Sequence, residues 1–365
     1  MSNSKFYSLD AILSKNCQYN LIIGERSNGK TYSTLLYGIK KFLKNGEQMA
    51  YIRRWKEDYR GKRATQMFAG HVENGVIAKL TDGEYDRVKY NAGKWYLAKY
   101  DSELDKVITQ EEPFCFAFAL SDMEHDKSTS YPLITTIVFD EFLTRSYYLP
   151  EEFVIFMNVL STIIRHRDNV KIFMLGNTVN KYSPYFKEMG LRHVPEMEIG
   201  KIDIYSYGES KLKVAVERCK SPNKKGKKSD VYFAFDNPSL NMITGGAWEI
   251  NIYPHCPRKY KPKDIIFTFF INFNDELLQC EIIQLSDCCF LYIHRKTTPI
   301  QDEDNDIIFS ENYDVRPNHF RNLRKGNSNI EKRISQFFIN DKVFYQDNEV
   351  GEVVRNYLQY CAMEK

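Results

Sequence analysis

The sequence predicts an α/β fold: a mainly parallel sheet of the P-loop type, joined by a basic linker or lid region to a smaller α+β unit. Three observations predict it. An apolar run, Asn20–Gly24 (NLIIG), ends in a glycine, and after four more residues comes Gly29-Lys30-Thr31. A second apolar run, Thr135–Phe139 (TTIVF), ends in two adjacent acids, Asp140 and Glu141. After a lysine-rich stretch, CKSPNKKGKKSD from Cys219 to Asp230, three closely spaced apolar runs read as consecutive antiparallel strands.

The first unit opens with NLIIG as a buried strand. Thr31–Phe42 (TYSTLLYGIKKF) places Leu35, Leu36, Ile39 and Phe42 at helical spacing, and Gln48–Arg53 (QMAYIR) reads as the next strand. Strand, loop, helix, strand is the repeating unit of a parallel sheet. KWYLA at 94–98 and FCFAFAL at 114–120 read as further strands, TTIVF as a strongly buried one, Phe153–Arg165 as a helix and KIFML at 171–175 as another buried strand. In the second unit the strands are Ile265–Asn272, Leu277–Gln284 and Cys289–His294, with Asn274-Asp275 at the first turn. Glu331–Phe338 and Val350–Cys361 read as helices. The predicted boundaries are 1–205 for the P-loop unit, 206–246 for the linker and 247–365 for the second unit.

Gly24–Thr31 (GERSNGKT) fits G-x-x-x-x-G-K-[ST] at every fixed position. The glycines let the backbone curl so that successive N–H groups point at phosphate oxygens, and the following helix adds its positive end. Gly24, Arg26, Ser27, Asn28, Gly29, Lys30 and Thr31 are therefore predicted to hold ATP. Lys30 would reach the β and γ phosphates, and Thr31 would hold Mg²⁺. The second metal-side carboxylate would be Asp140, and Glu141 would polarise the attacking water as general base. The competing reading of these acids is an ordinary strand end. Asn177, closing KIFMLGN, would sit beside the γ phosphate and report its loss, or simply form a turn with Gly176.

Three basic groups stay open on the residues alone. Arg165-His166-Arg167 ends a helix and would cap it by charge. Alternatively, Arg165 would serve a neighbouring subunit as an arginine finger, with Lys127 assisting. Arg53, Arg54 and Lys56 would contact DNA phosphates or form a solvated face. Lys224, Lys225, Lys227 and Lys228 carry the same choice between DNA binding and a soluble linker. The net charge of +3 across 365 residues is too small to name a partner. The eight cysteines include no C-x-x-C pair, which argues against zinc and for reduced thiols in a cytoplasm. Neither a signal peptide nor an apolar run long enough to span a membrane is expected.

With these residues placed, the chain resembles the DNA-packaging ATPase of short-tailed phages of the phi29 type. The resemblance rests on FYSLDAILSKNCQYNLIIGERSNGKTY, KNGEQMAYIRRWK, SYPLITTIVFDEF, RHRDNV and GNTVNKYSPYF, in that order, all within the first 190 residues. It implies a terminase-like ATPase with an additional strand and a catalytic Glu. Such proteins form a homopentameric ring on the portal of a prohead and drive double-stranded DNA inward. A structural RNA mediates prohead attachment in some of them. It implies localisation in the host cytoplasm, transiently on the prohead and absent from the mature virion. Lys30, Thr31, Asp140 and Glu141 match the nucleotide site, Arg165 the arginine finger and Lys127 a second trans-acting base. The second unit would be an RNase H-like nuclease without its acids, with Asn272 and Asn274 where an acid would serve. Asp287 and Glu281 keep a live nuclease open. A DNA helicase, a nucleotide kinase and an ATP-operated switch are the rival functions.

Overall fold

In the computed structural model the described residues are 7–125, 129–208, 210–220, 248–324 and 329–363. They form two compact units that divide between Trp248 and Glu249. The strands of the first unit are β1 (Tyr19–Gly24), β2 (Gln48–Arg53), β3 (Arg87–Asn91), β4 (Lys94–Asp101), β5 (Lys106–Thr109), β6 (Cys115–Ala119), β7 (Ile134–Asp140), β8 (Lys171–Asn177), β9 (Ile202–Ser206) and β10 (Lys213–Arg218). They make one sheet in the order β3-β4-β6-β2-β7-β8-β1-β10-β9, with β5 paired to β4. The run β6-β2-β7-β8-β1-β10 is wholly parallel. Its central strands are buried on both faces, as unbroken apolar runs such as LIIG and TIVF require. Strand β8 lies between the P-loop strand β1 and the acid-bearing strand β7. That is the additional strand the resemblance calls for.

Helix α1 (Lys30–Asn45) follows β1 and buries Thr34, Leu35, Gly38, Ile39 and Phe42. It stops at Gly46, whose φ of 72° closes the last turn. Helix α2 (Glu152–Ile164) follows β7 and buries Phe156, Val159, Leu160 and Ile163. Because the central strands are parallel, β1, β2, β7 and β8 all end at the same edge, where ligands of open α/β sheets bind.

The predicted linker needs correcting at its start. Lys213–Arg218 is not linker but β10, fully in register with β1 from Tyr19↔Val214 to Ile23↔Arg218. Its buried pattern includes Glu217 and Arg218, charges that disguise a strand in the sequence. Residues 221–247, with Lys224, Lys225, Lys227 and Lys228, lie outside the described residues, as does Lys127.

The second unit contains β11 (Ile265–Phe273), β12 (Glu276–Gln284), β13 (Cys289–Arg295), β14 (Ile308–Ser310), β15 (His319–Phe320) and β16 (Val343–Tyr345), in the order β15-β14-β11-β12-β13-β16. The three long strands are antiparallel, and the flanking ones pair parallel. Asn274 and Asp275, at φ 53° and 63°, make the two-residue hairpin turn that favours Asn and Asp. Helices α3 (Asn329–Ile339) and α4 (Asn348–Met363) complete the unit, and α4 packs Val350, Val353, Val354 and Tyr357 inward. Among the described residues, no helix is long and apolar enough to cross a membrane.

Candidate functional site

The carboxyl edge of the first sheet holds a cleft of about 410 Å³. It is lined by the loop and first helical residues from Arg26 to Tyr32, by Asp140 and Glu141, and by Leu175-Gly176-Asn177. The loop's shape has local causes. Gly29 sits at φ 91°, and an L side chain there would be strained. A Cβ on Gly24 would lie 2.4 Å from the Cys219 sulfur, so this glycine also admits the end of β10.

Lys30 is buried and its ammonium is folded onto the loop. It donates to the Glu25 carbonyl at 2.7 Å, the Gly24 carbonyl at 3.3 Å, and Asn28 Oδ1 and Asn177 Oδ1 at 3.2 Å each. Burial lowers its pKa, partly opposed by neighbouring acidic groups, so a bound phosphate would restore the charge that burial disfavours. Asn177 is thereby placed against Lys30. Asn28 is held in turn, its amide donating to Cys219 Sγ at 3.0 Å.

Asp140 ends β7 and is buried. Its Oδ2 accepts from Tyr51 Oη at 2.7 Å and Thr31 Oγ1 at 3.1 Å, and Oδ1 accepts from the Glu141 backbone N–H at 3.0 Å. Burial raises its pKa, against the pull of Arg53 and these hydrogen bonds. Two hard oxygen ligands side by side, one of them a buried carboxylate, fit a Mg²⁺ ion. Glu141 follows with its side chain half exposed, and Arg53 Nη2 donates to its carboxylate at 2.6 Å.

Arg53 and Arg54 are corrected here as DNA contacts. Arg53 reaches from the end of β2 to the acids at the cleft, pairing with Glu141 at 2.6 Å and with Asp58 at 3.2 Å, and lies 3.8 Å from Asp140. Burial works against its charge, yet the surrounding acids and Tyr51 hold its pKa above the usual arginine value. Arg54 is only 5% exposed and pairs with buried Glu152. Neither has a guanidinium free for a phosphate backbone. Lys56 is the exposed member of the group, paired with Asp122 at 2.5 Å.

Arg165 is exposed just past the end of α2, with its guanidinium donating to the Thr129 carbonyl at 3.1 Å. It does not line the cleft of its own chain. Arg167 is spent internally, on the carbonyls of Tyr131, Pro132, Ile134, Ile163 and Ile164.

Sequence reasoning missed four participants. Tyr51 carries no signal beyond its place in a strand. Cys219 falls in the supposed linker. Glu152 reads as an ordinary acid in a first helical turn. Tyr7 bridges three parts of the site: its N–H donates to Asn28 O at 3.0 Å, its carbonyl accepts from Ser33 Oγ, and its hydroxyl donates to buried Glu217.

In the second unit, Asn272 on β11 stands in register with Ser310 on β14. Both positions carry a neutral side chain rather than an acid. Glu281 accepts from Tyr260 Oη and Gln279 Nε2, both at 2.7 Å, with His294 at 3.4 Å, while exposed Asp287 pairs with Arg258. Among the described residues no group of three or more His, Cys, Asp or Glu could hold a metal.

The family model described as Podovirus DNA encapsidation protein (Gp16) matches residues 1–207. The DNA packaging protein of Bacillus phage phi29 is 32% identical over 189 residues, covering 51% of this chain and 50% of that protein. The DNA packaging protein of Bacillus phage B103 is 33% identical over 181 residues, covering 49% of each. The chain spans about half the length of these relatives. A solved structure of the bacteriophage Phi-29 viral genome packaging motor assembly is 21% identical and covers 99% of this chain and 100% of its own, with a TM-score of 0.54. That likeness carries the fold across both units. With more than half of its length matched by the family model, the chain belongs to the Podovirus DNA encapsidation protein (Gp16) family.

Proposed function

We propose that this chain is the ATP-hydrolysing motor that moves double-stranded viral DNA into a prohead. The observation that carries the reading is the convergence of Lys30, Thr31, Asp140, Glu141 and Asn177 on one cleft. Its family membership supplies the biological setting. Lys30 would leave the loop carbonyls for the β and γ phosphates. Thr31 and Asp140 would hold Mg²⁺, which neutralises charge on the transferring phosphoryl group. Glu141 would part from Arg53, orient a water and take its proton. Asn177, already on Lys30, would register the departure of the γ phosphate. Arg165 of the partner subunit would stabilise charge in the transition state, which calls for a ring. A homopentameric ring on the portal, attached in the host cytoplasm with or without a structural RNA, completes the reading. The test is phosphate release by the full chain with and without double-stranded DNA. Hydrolysis stimulated equally by unrelated duplexes is expected; a chain that binds no ATP would overturn the proposal.

A helicase would also hydrolyse ATP on DNA, so DNA unwinding assayed alongside prohead filling separates the two. A kinase would phosphorylate an acceptor in place of water. A switch would turn over slowly even with Glu141 in place.

Any DNA grip should act on phosphates, because a motor that reads bases would stall on unfavoured sequence. Lys56 is exposed on the first unit, and Lys224, Lys225, Lys227 and Lys228 belong to the same proposal. Affinity should fall with salt by a slope of about 0.9 per neutralised phosphate. Changing the four linker lysines to Gln should flatten that slope in fluorescence anisotropy and leave DNA-free hydrolysis unchanged. An unchanged slope assigns them to solubility alone.

The second unit should cut no DNA. Plasmid incubated with the full chain and Mg²⁺ or Mn²⁺ is expected to stay supercoiled. Metal-dependent nicking lost in Asp287→Ala or Glu281→Ala would reverse this.

A further inference from the structure

Glu141 has φ 58°, a left-handed backbone conformation that is costly for a residue with a side chain. Such a conformation persists only where its surroundings over-determine it. Here two contacts come from the sheet itself: the Glu141 N–H on Asp140 Oδ1 at 3.0 Å, and the Phe142 N–H on the Leu175 carbonyl at 3.2 Å. The remaining two come from one side chain. Arg54 Nη1 donates to the Glu141 carbonyl at 3.2 Å, and Nη2 donates to the Phe142 carbonyl at 2.8 Å. Consecutive carbonyls on the far side of the strained peptide are thus gripped by one planar fork.

The fork is itself fixed. Arg54 Nε and Nη2 bind the two oxygens of Glu152 at 2.7 and 2.8 Å. Glu152 is 2% exposed and also accepts from the Leu149 N–H at 2.7 Å and the Tyr185 hydroxyl at 2.8 Å. The Tyr148 ring lies 5.0 Å from the guanidinium carbon and covers it. A buried pair of this kind is a weak device for stability alone, since apolar residues of similar volume would fill the space as well. What apolar residues could not do is hold two carbonyls in a fixed orientation.

We propose that Arg54, anchored by Glu152, is a positioning residue that holds Glu141 in its strained backbone conformation and so aims its carboxylate into the cleft. The proposal rests on the reading of Glu141 as the general base. Lysine at position 54 keeps the charge but cannot satisfy both carbonyls and both carboxylate oxygens, because its donors radiate from a single nitrogen. A misplacement of about 1 Å at a reacting group can cost roughly 10²-fold in rate.

The test is a double-mutant cycle on the full chain, built from Arg54→Lys and Glu141→Gln. It reads single-turnover cleavage of labelled ATP and equilibrium affinity for a fluorescent ATP analogue. Arg54→Lys alone is expected to lower the cleavage rate about 10- to 100-fold with affinity within about 2-fold. In the Glu141→Gln background it should cost nothing further, because a residue acting only through Glu141 has no second route. Glu152→Gln, which keeps the side-chain shape but loses the charge and sets an NH2 donor where an oxygen accepts two hydrogen bonds, should loosen the fork and lower the cleavage rate with the same non-additivity, and it carries the test if the lysine variant unfolds. Equal losses in both backgrounds, or a wild-type rate in folded Arg54→Lys, would overturn the proposal while leaving Glu141 as the base. A Glu141→Gln protein that cleaves ATP normally would remove the base assignment, and the proposal with it.

Discussion

Glu141→Gln is expected to bind ATP with unchanged affinity and to lose turnover by on the order of 10²–10⁴-fold, the typical contribution of a general base. The division of labour follows from the geometry. The groups that would grip phosphate are the loop N–H groups and Lys30, whose contacts run to Gly24, Glu25, Asn28 and Asn177 and never to Glu141. Among the described residues Glu141 meets only Arg53 through its carboxylate, with 57% of its side chain exposed. Glutamine preserves the shape, so the chemical changes are the loss of a proton acceptor and of the charge that pairs with Arg53. Arg53 loses one charged partner but retains Asp58 and Asp140, so its place beside the acids should survive. Phosphate release measured beside nucleotide binding decides the matter. A near-normal rate would show that Glu141 is not the base, and a collapse of affinity would show that it belongs to the binding surface.

How much of this was legible in the sequence depends on the range of the interaction. The phosphate loop is a local device: a strand, a curled loop and the first residues of a helix all lie between Tyr19 and Thr31, so spacing alone reveals it. The strand TTIVF and its terminal acids are local in the same sense, and so is the hairpin turn at Asn274-Asp275. The errors come where a residue's meaning lies far away in the chain. Arg53 and Arg54 form a charged run, and a charged run reads as solvated or as a nucleic-acid contact. Their partners, Glu141 and Glu152, are 88 and 98 positions away. Parallel strands require such long crossovers, so β2 and β7 become neighbours with nothing in sequence to announce it. Strand β10 failed for a related reason. Its apolar stretch is only VAV, and the buried Glu217 and Arg218 beside it look like surface until Tyr7 and the Met197 carbonyl are seen to satisfy them. Strands β3 and β5 are short, largely polar and pair at the sheet's margin, which leaves almost no periodic signal.

Arg165 is expected to act on the nucleotide of a neighbouring subunit, and its loss should cost roughly 10³–10⁵-fold in rate. The structural ground is its position. The helix that begins at Glu152 ends one residue before Arg165, and the Arg165 N–H closes it on the Ser161 carbonyl at 3.0 Å. Its guanidinium lies exposed against Thr129 and takes no part in lining its own cleft. Alanine at this position keeps a Cβ at the same φ of 52°, so the substitution removes the charge without altering the backbone constraint. The decisive measurement is a mixture. Arg165→Ala subunits retain Glu141 and an intact cleft; Glu141→Gln subunits retain Arg165. Each alone should be inactive. In mixed rings, one kind of interface joins an intact cleft to an intact arginine, and hydrolysis should reappear in proportion to the frequency of that interface. The proportion itself is informative, because a site confined to one chain gives zero at every mixing ratio, whereas a shared site gives a maximum near equal amounts. If rings verified as mixed recover nothing, Arg165 acts within its own chain or only caps its helix, and the hydrolytic site is not shared between subunits.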